Sequence, residues 1–152
     1  MASRCPPPLL LIMQDLSIMG RIRMQKYGFC IHQQYAEAEG LGFYADWKRY
    51  HFGPYSPALA DDLDAAIRAG HVLETGGPGG GPGPNRYELA AGASKEYASL
   101  KENLDYVAGI RRMLAKLETL SLTGLLKQIY WDYPEYAVRG QIRGQTSGQV
   151  SG

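Results

Sequence analysis

Three aspartates in close succession, Asp61, Asp62 and Asp64, with His51 before them and His71 after, are the side chains best suited to chemistry in this chain. Carboxylates and imidazoles together can hold a divalent cation or shuttle a proton. Their spacing argues against both. Asp61 and Asp62 are adjacent, and on a helix neighbouring side chains diverge by about 100°. The chain contains neither H-E-x-x-H nor G-x-S-x-G, the patterns that place a metal or a nucleophile in a defined local geometry. The two cysteines, Cys5 and Cys30, lie far apart without ligand-spaced partners, so no zinc site is expected. The Gly/Pro run "GGPGGGPGP" (76–84) matches no phosphate loop, and its prolines lack the N–H donors that cradle phosphate. The expectation is a non-enzymatic protein without cofactor or metal.

Binding chemistry is the alternative. Arg21, Arg23 and Lys26 fall within one predicted helix, Lys48 and Arg49 on an aromatic segment, and Arg86 at the base of a predicted hairpin. Converging, they would form a patch for phosphates with aromatic neighbours. The net charge of +1 supplies no global field, so any such binding rests on this local patch. Tyr44, Trp47, Tyr50, Phe52 and Tyr55 are read mainly as core. Asp61, Asp62 and Asp64, joined by Arg68, give the following helix an acidic face suited to a basic protein partner rather than to DNA.

These residues need elements to position them. Residues 9–18 read as a short helix ending near Gly20, and 21–39 as a second, with Met24, Tyr27, Ile31, Tyr35 and Ala38 at helical spacing. Residues 43–52 read as a strand, with Phe43, Ala45 and Trp47 on one face, followed by a Gly53-Pro54 turn. Ser56-Pro57 is a helix start, a hydroxyl cap followed by proline at the first helical position. Asp61 and Asp62 would lie near that helix's N-terminal end, and Gly70 would stop it. Residues 71–75 and 85–90 read as two strands joined by 76–84. A helix over 94–118 and another over 121–132 follow, with Pro134 after the last. Residues 1–8 are read as flexible and 139–152, nearly devoid of apolar side chains, as disordered. The apolar run Leu9–Met13 is too short for a signal peptide or membrane span, so a soluble, cytoplasmic chain is expected.

Helix, helix, strand, helix and hairpin, followed by long helices, predict an α+β fold. Specifically, they predict a winged helix-turn-helix over 9–92, its wing loop at 76–84, with a C-terminal helical extension over 93–138. In such a fold the third helix, 57–69, usually enters the DNA major groove. The apolar stripe of 94–118 is expected either to form a homodimer seam or to fold back on its own domain.

The pieces "GRIRMQK" (20–26), "FGPYSPALADDL" (52–63), "GHV" (70–72), "RYEL" (86–89) and "YWDYPEYAV" (130–138) carry a resemblance. Together they resemble the YwgA-like family of uncharacterised bacterial and archaeal proteins, described as predicted transcriptional regulators. The aromatic Gly-Pro segment is more distantly similar to Panacea-type antitoxin domains. The resemblance implies DNA binding and transcription regulation, or neutralisation of a protein partner. It implies no catalytic residue. The leading expectation is a DNA-binding regulator contacting nucleic acid through Arg21, Arg23, Lys26, Lys48, Arg49 and Arg86. The alternative is a protein-interaction module using Asp61, Asp62, Asp64 and Arg68.

Overall fold

Prolines open the first helix of the computed structural model, which describes residues 4–76 and 84–137. Helix α1 spans Pro7–Met13, with prolines in the first turn where N–H groups have no partner to lose. Every residue from Pro8 to Met13 is buried. The expected continuation to residue 18 does not occur, because Gln14 adopts φ 45 and ends the helix. Ile18–Met19 instead form a short strand, β1. Within the segment read as flexible, Cys5 is buried and its N–H donates to Glu96 Oε1 at 3.2 Å.

Gly20, at φ 95, turns the chain into α2 (Arg21–Gln34). This helix is buried continuously from Arg23 to Ile31. Its close packing explains Gly28: a Cβ there would stand 2.7 Å from Leu59 Cδ1 and 3.1 Å from Ile12 Cδ1. The helix ends before the expected residue 39. Tyr35 leaves helical geometry (φ −132, ψ 78), and its hydroxyl lies against Gly109, so a tertiary contact overrides local helix propensity. A 3₁₀ helix, Ala36–Leu41, carries the chain onward.

The aromatic segment is shorter as a strand than expected. Strand β2 is Lys48–Tyr50, and β3, Gly53–Tyr55, returns beside it with Lys48 opposite Tyr55. The turn is therefore His51–Phe52, and Gly53-Pro54 belongs to the returning strand. Strand alternation also fails upstream, since the adjacent Phe43 and Tyr44 are both buried.

Helix α3 (Pro57–Ala69) matches its predicted bounds. Ser56 Oγ accepts from Leu59 N at 3.1 Å, and Gly70 closes the helix in the left-handed region at φ 83. Asp61 and Asp62 lie beyond the first turn, which holds no acidic residue. Strands β4 (Val72–Thr75) and β5 (Arg86–Leu89) pair antiparallel, and β1 adds to β5, giving the sheet order β1-β5-β4. Most of the predicted wing loop, 77–83, and all of 139–152 lie outside the described residues.

The predicted helix 94–118 is two helices, α4 (Ala91–Asn103) and α5 (Val107–Glu118). Leu104 is extended between them (φ −125, ψ 123), in a run where Asn103 and Asp105 compete poorly as helix formers. Tyr97, Val107 and Leu114 are buried, and Leu100, Leu104 and Leu117 pack against the same core. The stripe thus faces the chain's own interior. Helix α6 (Leu122–Asp132) starts with a Ser121 cap and is followed by a 3₁₀ turn, Pro134–Tyr136. The architecture is α+β, and no helix among the described residues is long and apolar enough to cross a membrane.

Candidate functional site

The predicted cations of α2 do not form a surface cluster. Burial and hydrogen bonding divide them among three separate tasks.

Arg23 is 9% exposed. Its guanidinium donates to Leu117 O at 3.2 Å, Leu120 O at 2.7 Å and the Tyr27 hydroxyl at 3.0 Å. Carbonyls at a helix C-terminus lack intrahelical donors, and a cation there also meets the negative end of the helix dipole. Arg23 therefore fastens the end of α5 to the first turn of α2. The Tyr27 hydroxyl extends the network to Glu118. Burial, with this bond to Glu118, raises the Tyr27 pKa above that of an ordinary phenol.

Lys26 is 2% exposed and donates to Pro54 O on β3 at 2.9 Å. Beside it, Gln25 is clamped across the same junction: its Nε2 donates to Ser56 O at 3.1 Å, and its Oε1 accepts from Ser56 N at 2.7 Å. Burial lowers the Lys26 pKa from 10.5 to about 7. Neither Arg23 nor Lys26 stands at the surface, where a nucleic-acid backbone would meet it.

Arg21 is half exposed but occupied. It lies 2.7 Å from Asp64 and 3.6 Å from Glu74, and its Nε donates to the Tyr87 hydroxyl at 3.1 Å. Tyr87, Asn85 and Arg21 hold the Glu74 carboxyl below the usual carboxylate range.

The acidic face of α3 is reduced in the same way. Asp64 is held by Arg21, and Asp62 accepts from the Tyr44 hydroxyl at 2.7 Å. The exposed positions of α3 are Ala58, Asp61, Ala65, Arg68 and Ala69. That surface is small and nearly neutral, and the three expected carboxylates do not act there as a unit. Among the described residues, no group of three His, Cys, Asp or Glu side chains is placed to hold a metal ion.

The hairpin is different. Lys48, Arg49, Tyr50, His51 and Phe52 are all exposed. Neither Lys48 nor Arg49 enters an ion pair among the described residues. The Tyr50 ring lies 4.4 Å from His51 and 4.9 Å from Tyr55, so the tip carries a cluster of rings. Gly53 allows the tip to return: it has φ 92, and a Cβ there would stand 2.8 Å from Tyr130 Cε1. Arg86 is exposed at the start of β5 and donates to Ser17 Oγ at 3.4 Å.

The aromatic segment thus divides. Tyr44 is buried, and Trp47 packs edge-on against Phe29 at 5.5 Å, as the core reading expects. Tyr133 and Tyr136 meet the same Phe29 ring at 5.0 and 4.8 Å. Tyr50 and Phe52, also read as core, are 51% and 45% exposed. The signal for this was the dense K-R-Y-H-F run ending at a glycine, which marks a turn. The structural clamp formed by Gln25 has no comparable sequence signal. Compared with protein-family models, curated proteins and solved structures, the chain matches none.

Proposed function

We propose that the chain is a non-enzymatic winged-helix regulator that binds nucleic acid through the tip of the β2–β3 hairpin. The order α1–β1–α2–α3–β4–β5 with a three-stranded antiparallel sheet supports the winged-helix reading. The observation that carries the function is the tip itself: two cations without ion-pair partners among the described residues stand beside exposed rings. Cations of this kind contact phosphates, and exposed rings stack on unpaired bases. Arg86 and Arg68 are the other exposed contributors from the wing base and α3.

The test is fluorescence anisotropy with labelled single- and double-stranded DNA across a salt series. The double variant Lys48→Ala/Arg49→Ala is expected to reduce the slope of log affinity against log salt by roughly two, one per lost phosphate contact. Tyr50→Ala is expected to weaken single-strand binding by about 1–3 kcal/mol. Absence of binding at low salt, or affinity unchanged by the double variant, would overturn the proposal.

A second reading is favoured by the near-neutral outward face of α3, which suits a protein surface better than a phosphate backbone. The chain would then be an adaptor or antitoxin-like module, with Asp61 and Arg68 as its exposed charges. This reading requires a stoichiometric protein partner whose binding is lost in Asp61→Lys and retained in Lys48→Ala/Arg49→Ala.

A further inference from the structure

A cavity of about 280 Å³ lies between α2, the β2–β3 hairpin and α3. This is close to the lower end of the size range of small-molecule sites, about 300 Å³. Its walls are apolar and aromatic: Ile22, Leu59 and Leu63 from the helices, Tyr50, Phe52 and Tyr55 from the hairpin. Lys26 also lines it, at 2% exposure, while the Arg21–Asp64 pair lines it with side chains 43% and 49% exposed. A buried lysine and a half-exposed ion pair thus line one cavity.

Lys26 is the unusual member. An ammonium has three N–H donors, and among the described residues the amine makes one hydrogen bond, to Pro54 O. No carboxylate among the described residues lies within ion-pair distance of it. The charged and titratable groups around it do not supply a counter-charge. Asp64 is engaged by Arg21. The Cys30 thiol, on the same helix, is pushed up by burial to about 12 and is therefore neutral. From the hairpin, Tyr50 and Tyr55 bring phenols. A buried cation without an anion is costly, and burial accordingly lowers the Lys26 pKa to about 7.

We propose that this cavity binds a small aromatic carboxylate, whose ring lies against Tyr50, Phe52 and Tyr55 and whose carboxylate pairs with Lys26. The ligand supplies the counter-charge that no described residue provides. The apolar walls favour a flat apolar body, and the amine selects an anionic head over a neutral one. The cavity shares Tyr50 with the proposed nucleic-acid surface, but benzoate binding is read without nucleic acid, so either reading can fail alone.

Benzoate is the probe, with benzamide and acetate as comparators, titrated calorimetrically into the intact chain. Benzoate pairs with protonated Lys26, so above about pH 7 each binding event must first load a proton onto the amine. Affinity is therefore expected to fall roughly tenfold per pH unit between about pH 8 and 9. At about pH 8, buffers of different ionisation enthalpy are expected to report uptake of close to one proton per benzoate. Benzamide is expected to show neither effect, and acetate to bind at least tenfold more weakly than benzoate. In Lys26→Met, benzoate binding is expected to weaken at least tenfold and to lose its pH dependence. The proton uptake is read on the unaltered chain, so it decides even if the variant does not fold. No saturable benzoate binding at about pH 6.5 up to about 10 mM, or binding without proton uptake, would overturn the proposal. Acetate binding as tightly as benzoate would also overturn it.

Discussion

Lys26 is a positive group held where its charge is disfavoured, and this has a consequence for stability. Its folded pKa, about 7, lies below the ordinary 10.5. Between these values the unfolded chain binds more protons than the folded one, so stability rises with pH across that window. Below about pH 7 both states are protonated, and the full cost of burying the charge is present. The thiols of Cys5 and Cys30, pushed up by burial to about 12 from 9.0, act in the opposite direction, but only above about pH 9. The phenols of Tyr27, Tyr44 and Tyr130, also raised by burial, do so higher still. From about pH 7 to 8.5 the wild-type chain is therefore expected to gain roughly 1–2 kcal/mol relative to Lys26→Met. Urea melts of both chains at the two pH values check this, and parallel pH dependences would refute it. The residue type was plain in the sequence. Its depth was not, because a lysine among Met24, Tyr27 and Ile31 reads as the polar side of an amphipathic helix.

At the scale of elements, legibility follows locality. The start and end of α3 could be read because a serine cap, a proline and a left-handed glycine act within a few residues. Ser56→Ala is expected to cost about 1 kcal/mol for the cap alone. The measured loss should exceed this, because Ser56 Oγ also bonds to Asp46 at 2.5 Å and Asp46 in turn accepts from Ala58 N at 2.9 Å. Elements shaped by distant contacts were not legible. The end of α2 at Gln34 follows the meeting of Tyr35 with Gly109, which no local pattern records. Gly28 separates the two influences. Helix propensity alone predicts that Gly28→Ala stabilises by about 1 kcal/mol. The Leu59 and Ile12 methyls at 2.7 and 3.1 Å predict a net loss of about 1–3 kcal/mol from overpacking. A thermal melt decides, and a raised Tm would contradict the packing described here.

For the whole molecule, the decisive feature is that α2 is enclosed on several sides, with α1, α3, α5, α6 and β3 all contacting it. A central helix cannot also offer its cations to solvent, so the expected patch over Arg21, Arg23 and Lys26 separates into a half-exposed ion pair and two buried anchors. Lys48 and Arg49, on the hairpin, are exposed and enter no ion pair among the described residues. This predicts a clean division of effects. Arg23→Ala removes the guanidinium donors to Leu117 O and Leu120 O, of which Leu117 O keeps the Leu120 N–H, and is expected to cost about 1–3 kcal/mol of stability. Lys48→Ala/Arg49→Ala is expected to change stability by less than about 0.5 kcal/mol while weakening nucleic-acid binding. Denaturant melts and anisotropy on the same preparations read both effects, and a reversed pattern would overturn the assignment. The Arg23 anchor also bears on how the protein is made. Its carbonyl partners, Leu117 and Leu120, lie 94 and 97 residues further along the chain. On the ribosome, α2 therefore emerges long before the groups that satisfy its guanidinium. Until Leu120 has followed, the growing chain holds a cation that its core cannot enclose. Completion of this part of the core therefore requires the chain up to Leu120 to have been made.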